Sequence, residues 1–157
     1  MKNLFSKKGF TLIEILIVVA IIGILASVVV VGLGPAQKKG RDSRRVSDLR
    51  SVQNALELYY GKNGQYPIIG VGSWDEFATV LTGAGIGTNQ IPNDPTTSRD
   101  YIYKVDDSGT TYVLGAQLED AGGSIMNSSF TGALPSGGTT VPGGVTCGTA
   151  GFYCLTL

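Results

Sequence analysis

From Ile15 to Ala36 the chain carries no charged side chain. Wound as a helix, a run of this length crosses the hydrocarbon core of a bilayer, about 30 Å thick. A chain of 157 residues has room for one small domain beside such a segment, not for two independent cores. The run therefore fixes the plan: an apolar helix first, then a compact part. One acid, Glu14, stands at its leading edge. A carboxylate inside a bilayer is costly, so an intramembrane acid reads as functional. The other reading places Glu14 near the headgroups, where it reaches water. Position alone leaves both open.

The flanks narrow the choice. A short basic leader, Lys2, Lys7 and Lys8, ends in Gly9 and is followed by Phe10. A secretory signal has about 7–15 apolar residues and a small-residue cleavage site after them. Here the run is longer, and Leu25-Ala26-Ser27 is followed by four valines that continue it. The segment is expected to be retained. Charge alone would put the C-terminal part on the inner side of the membrane. Lys38, Lys39, Arg41, Arg44, Arg45 and Arg50 follow the span and outnumber the three lysines before it.

Composition removes several classes of function. The 12 basic and 12 acidic residues cancel, so no net field draws the chain to nucleic acid, and no specific nucleic-acid partner is expected. The absence of histidine excludes Ser-His and Cys-His nucleophiles and most zinc sites. No catalytic residue is assigned, and a membrane-anchored enzyme is set aside. Cys147 and Cys154, in "CGTAGFYC", are not spaced as a CxxC redox motif. In an oxidising compartment they would close a short loop; in a reducing one they would be two free thiols.

The stretch "KKGFTLIEILIVVAIIGILA" closely resembles the N-terminus of type IV pilins and of the pseudopilins of type II secretion. It joins a basic leader, a cleavable glycine, an aromatic and an acid at fixed positions to an uninterrupted apolar helix. The resemblance implies that a prepilin peptidase cuts between Gly9 and Phe10 on the cytoplasmic side and that Phe10 is then N-methylated. It also gives Glu14 an assembly role. Glu14 lies four residues beyond Phe10, on the same helix face. In a filament of staggered helices it can pair with the Phe10 ammonium of a neighbour, each charge making the other tolerable. The cysteine pair and the resemblance together put the C-terminal part outside a cytoplasmic membrane.

Beyond the span, Gly32, Gly34 and Pro35 are expected to interrupt the helix, which then resumes near Arg41. Val46, Leu49, Val52, Leu56, Tyr59 and Tyr60 form an apolar stripe for packing. Arg44, Arg45, Asp48, Arg50, Glu57 and Lys62 fall on the other faces. There the basic cluster from Lys38 to Arg50 reads as solvated and paired with acids of neighbouring subunits, with anionic lipid or DNA as the alternative. Gly61, Gly64 and Pro67 end the helix. In "SWDEFATVL", Ser73 and Glu76 are spaced as a capping box for a short helix that offers Trp74, Phe77, Val80 and Leu81 to the core. "YIYKV" and "TTYVLGAQL" alternate as strands joined at "DDSG", and a third strand is expected near "SIMNSSF".

"DLRSVQNALELYYGKNGQYP" and the order of a proline-rich loop and two strands resemble the major pseudopilin more specifically. That relative often binds calcium in an acidic loop after the second strand. Glu119 and Asp120 are the nearest candidates here, with Asp94, Asp106 or Asp107, yet the stretch lacks a run of aspartates, and solvated turn acids are the preferred reading. The expected fold is α+β and pilin-like, with a long N-terminal helix packed on a small antiparallel sheet. The expected parts are a leader over 1–9, an apolar helix over 10–36, an amphipathic half over 37–62 and a head over 63–157.

The expected function is structural. The chain would serve as a filament subunit, extracted from the membrane by an assembly platform and its ATPase into a fibre of identical or related subunits. The first version is a pseudopilin for protein secretion. The alternative is a type IV pilin for adhesion, motility or DNA uptake, which the cysteine-closed tail favours. A monomeric anchored binding module would have no use for Gly9, Phe10 and Glu14 together.

Overall fold

The computed structural model describes residues 9–69, 73–130, 147 and 151–157. Helix α1 spans Leu12–Asn63 and α2 spans Trp74–Gly83. Strands β1 (Ile102–Val105), β2 (Tyr112–Gln117) and β3 (Phe152–Thr156) form an antiparallel sheet in the order β1-β2-β3. The class is α+β, as expected.

Contacts divide the chain into two units between Gln37 and Lys38. In the first, every described apolar side chain of the run from Leu12 to Leu33 is exposed. The single hydroxyl inside this stretch, on Ser27, donates to the Ile24 carbonyl at 2.7 Å and so needs no water.

The expected interruption at Gly32, Gly34 and Pro35 does not occur. Helix α1 is continuous, with Pro35 inside it. A proline removes one backbone hydrogen bond of a helix. The rest of a long helix carries that single loss, because the turns on either side keep their own hydrogen bonds.

The second unit is built on the stripe. Leu49, Val52, Ala55 and Leu56 of α1 are buried against Tyr112, Leu114 and Ala116 of β2 and Tyr153 of β3, with Val46 and Tyr59 half-buried beside them. Tyr60 stays exposed and stacks obliquely on Tyr66. From α2 come Trp74, Phe77 and Leu81, while Val80 is only half-buried. Ser73 caps α2 by accepting the Glu76 amide hydrogen at 3.3 Å.

Helix α1 ends at Asn63, where Gly64 takes a left-handed φ of +73°. The β1–β2 turn is organised by Asp106, whose carboxylate accepts from the Ser108 and Thr110 hydroxyls and from the Thr110 and Thr111 amides. These bonds hold its pKa well below the usual range. Gly109 in that turn presses on the segment after α1, its carbonyl accepting from Tyr66 at 2.8 Å.

The third strand is not where the sequence placed it. Ser124–Ser128 forms a 3-10 helix, and β3 comes from the cysteine-bearing tail. "SIMNSSF" lies among glycines and serines that favour local turns over a ladder. "FYCLT" carries the aromatic and β-compatible side chains that a strand against β2 requires.

Candidate functional site

The N-terminal segment begins with exposed Gly9 and Phe10, the latter 83% accessible. Thr11 then caps α1. Its amide donates to Glu14 Oε2 at 2.7 Å, its hydroxyl donates to the same oxygen at 2.7 Å, and its Oγ1 accepts from the Glu14 amide at 3.3 Å. This is a reciprocal capping box, which satisfies donors that a helix start leaves without partners. The T-x-x-E spacing at Thr11–Glu14 is visible in the sequence, so the cap could have been read there. It gives Glu14 a role within its own chain, beside any role toward a neighbour.

A second constellation lies in the other unit, and the sequence reading missed it. Arg45, expected on a solvated face, is fully buried, as is Asp42 one turn before it. Arg45 Nε and Nη2 grip the two oxygens of Asp94 at 2.7 and 2.9 Å. Its Nη1 donates to Asp42 at 2.7 Å and to Glu119 at 3.0 Å, and Nη2 donates again to Thr96 at 2.8 Å. All five guanidinium hydrogens are thereby used, the condition under which a buried arginine is tolerated.

Asp42 in turn accepts the backbone amides of Glu119 and Asp120 at 2.9 Å each. Arg41 closes the cluster by a bidentate bond to Glu119, at 2.7 and 2.6 Å. Hydrogen bonds from Arg41 first, then Arg45, hold the Glu119 carboxyl down at about 2. Those to Asp94 foremost keep Arg45 protonated. The cluster ties three separate pieces together: α1, the loop at Asp94 and the segment after β2.

Three of the calcium candidates have their carboxylates taken up by this geometry. Both oxygens of Glu119 and of Asp94 are engaged by arginines, and Asp106 is enclosed by its own turn. Asp107 is exposed beside it. Among the described residues no group of three or more His, Cys, Asp or Glu side chains is placed to hold a metal ion. Glu119, Asp94 and Asp106 therefore do not fit calcium, and Asp120 lends its backbone amide to Asp42. Cys147 and Cys154 are joined in a disulfide, which ties β3 to the segment before it. Arg44 pairs with Asp48 at 3.7 Å within α1, and Asp48 accepts the Tyr101 hydroxyl at 2.8 Å.

The family model of the prokaryotic N-terminal methylation motif matches residues 4–30, which include Gly9, Phe10 and Glu14. The type II secretion system core protein G of Vibrio cholerae is 34% identical over 132 residues, covering 78% of this chain and 89% of that protein. The chain belongs to the type II secretion core protein G family. Escherichia coli core protein G is 44% identical over 62 residues, 40% of this chain and 43% of its own length. The type IV wide pilus major component PilA4 of Thermus thermophilus is 44% identical over 61 residues, 39% of this chain and 47% of its own. No solved structure gives a significant match. As a member of the core protein G family the chain is a structural, non-enzymatic subunit. Its N-terminal helix is long and apolar enough to cross a membrane.

Proposed function

We propose that the chain is cut between Gly9 and Phe10 by a prepilin peptidase, N-methylated at Phe10, and assembled with copies of itself into the pseudopilus of a type II secretion system. The observation that carries this reading is the first unit: a helix exposed along its apolar run and headed by a capped carboxylate. Such a helix is stable only in lipid or against other apolar helices. Before assembly it sits in the cytoplasmic membrane with the second unit outside. An assembly platform and ATPase then move it into the fibre, where the helices bury one another.

In the single chain Thr11 satisfies Glu14; in the fibre the Phe10 ammonium of a neighbour adds a full opposite charge. Two substitutions separate these roles. Glu14→Gln keeps an N3 acceptor for the cap and loses the charge. Glu14→Ala loses both. Both variants are expected to insert in the membrane and to fail in fibre formation, read by shearing and immunoblotting. Normal fibres from Glu14→Gln would reduce Glu14 to a helix cap and overturn the pairing.

A second reading, a pilin of a surface fibre, is favoured by the similarity to the Thermus protein and by the disulfide near the C-terminus. Long fibres on cells that secrete normally without this gene would establish it in place of the first.

A further inference from the structure

Family resemblance directs calcium to the acidic segment after β2, and this chain has a different solution there. Arg45 of α1 is fully buried, reaches Asp42, Asp94 and Glu119 together, and joins its helix to the loop at Asp94 and to the segment that starts at Leu118. A divalent cation among carboxylates does two things: it cancels their repulsion and it fixes the backbone that carries them. Both are done here by side chains. Arg41 and Arg45 supply two positive charges to three carboxylates, and Asp42 holds the Glu119 and Asp120 amides directly.

We propose that the Arg45 guanidinium stands in for a divalent cation at this junction, so that the second unit holds its post-β2 segment without calcium. Planarity suits arginine to the task, because its fork meets Asp94 bidentately while the remaining hydrogens reach Asp42, Glu119 and Thr96. Lysine could not make the same set of bonds. Glu119, the one carboxylate shared by both arginines, has its oxygens turned to guanidinium nitrogens and leaves no pair of lone pairs for an ion. This inference does not rest on filament assembly, and either can fail without the other.

The test uses the full chain in detergent micelles. Thermal unfolding and amide hydrogen exchange are measured in chelator and in millimolar calcium. A specific site filled a hundredfold above its Kd raises Tm by roughly 10 °C or more in a domain of this size. The expected shift for the unaltered chain is below about 2 °C on the same grounds, with the Glu119 and Asp120 amides equally protected in both conditions. Arg45→Met is expected to release these two amides to fast exchange, and Arg45→Lys to protect them only in part. A large calcium-dependent rise in Tm, or a slowing of those amides by calcium, would overturn the proposal. So would full protection of the two amides in Arg45→Met. If Arg45→Met does not fold, the comparison of chelator with calcium on the unaltered chain decides alone.

Discussion

Glu119 shows how much one side chain depends on partners far along the chain. Its carboxyl lies at about 2, against an ordinary 4.5, because Arg41 and Arg45 hydrogen-bond the ionised form. A depressed folded-state pKa contributes stability that is present above the unfolded value and is lost as pH falls through the folded one. Acid unfolding is therefore expected to set in below about pH 4.5 and to deepen toward pH 2. In Glu119→Gln this part of the acid slope should vanish, as followed by circular dichroism across the titration. Gly109 makes a second prediction at this scale. Its φ is +67°, and an added Cβ would stand 3.1 Å from Gln65 Cβ and 3.2 Å from the Tyr66 carbonyl oxygen. Gly109→Ala is expected to lower stability by about 1–3 kcal/mol in denaturant titration. The pairing of Glu119 could not be read locally. Arg45 sits in "KKGRDSRR", a run that looks solvated, and its partners Asp94 and Glu119 are 49 and 74 residues away. Thr11 and Glu14 are the opposite case, since their cap is written in adjacent letters.

Elements were legible where a single period governs them. The stripe from Val46 to Tyr59 folds as one face of α1, α2 starts at its Ser73 cap, and the hairpin turns at Asp106–Gly109. Two elements defeated pattern reading for different reasons. Pro35 and its neighbouring glycines weaken a helix by local propensity, but a helix of 52 residues has enough hydrogen bonds on either side to continue through them. The third strand depends on pairing with β2, a tertiary choice that favours "FYCLT" over "SIMNSSF". Strand β3 is fastened by the Cys147–Cys154 disulfide, which spans a sequence separation of 7. On the loop-entropy model a bridge over so short a loop contributes about 2.5 kcal/mol. Reduction of the purified chain should lower its unfolding free energy by about that amount, and Cys154→Ser should show the same loss without reductant. An unchanged denaturation midpoint in both would mean that β3 is held by its ladder alone.

The two units differ in how they meet water, and the molecule's behaviour follows from that difference. The second has a buried aromatic core of Tyr66, Trp74, Phe77, Tyr101, Tyr112 and Tyr153, closed by the arginine cluster. The first exposes Leu12, Ile13, Ile15, Leu16 and the apolar residues after them, a surface that only lipid or like helices can cover. A chain that begins at Lys38 should accordingly stay monomeric in buffer without detergent, whereas the full chain should sediment with membranes. Recovery of the full chain as a soluble monomer would contradict this. Proteolysis at Gly9 is proposed to create the Phe10 amine on which assembly depends. Intact-mass and N-terminal peptide spectrometry of the protein taken from its own cells is the deciding experiment. The expected result is a chain that starts at Phe10 and carries one methyl group on its amine. A native chain that still carries residues 1–9 would rule out assembly through a Phe10 amine.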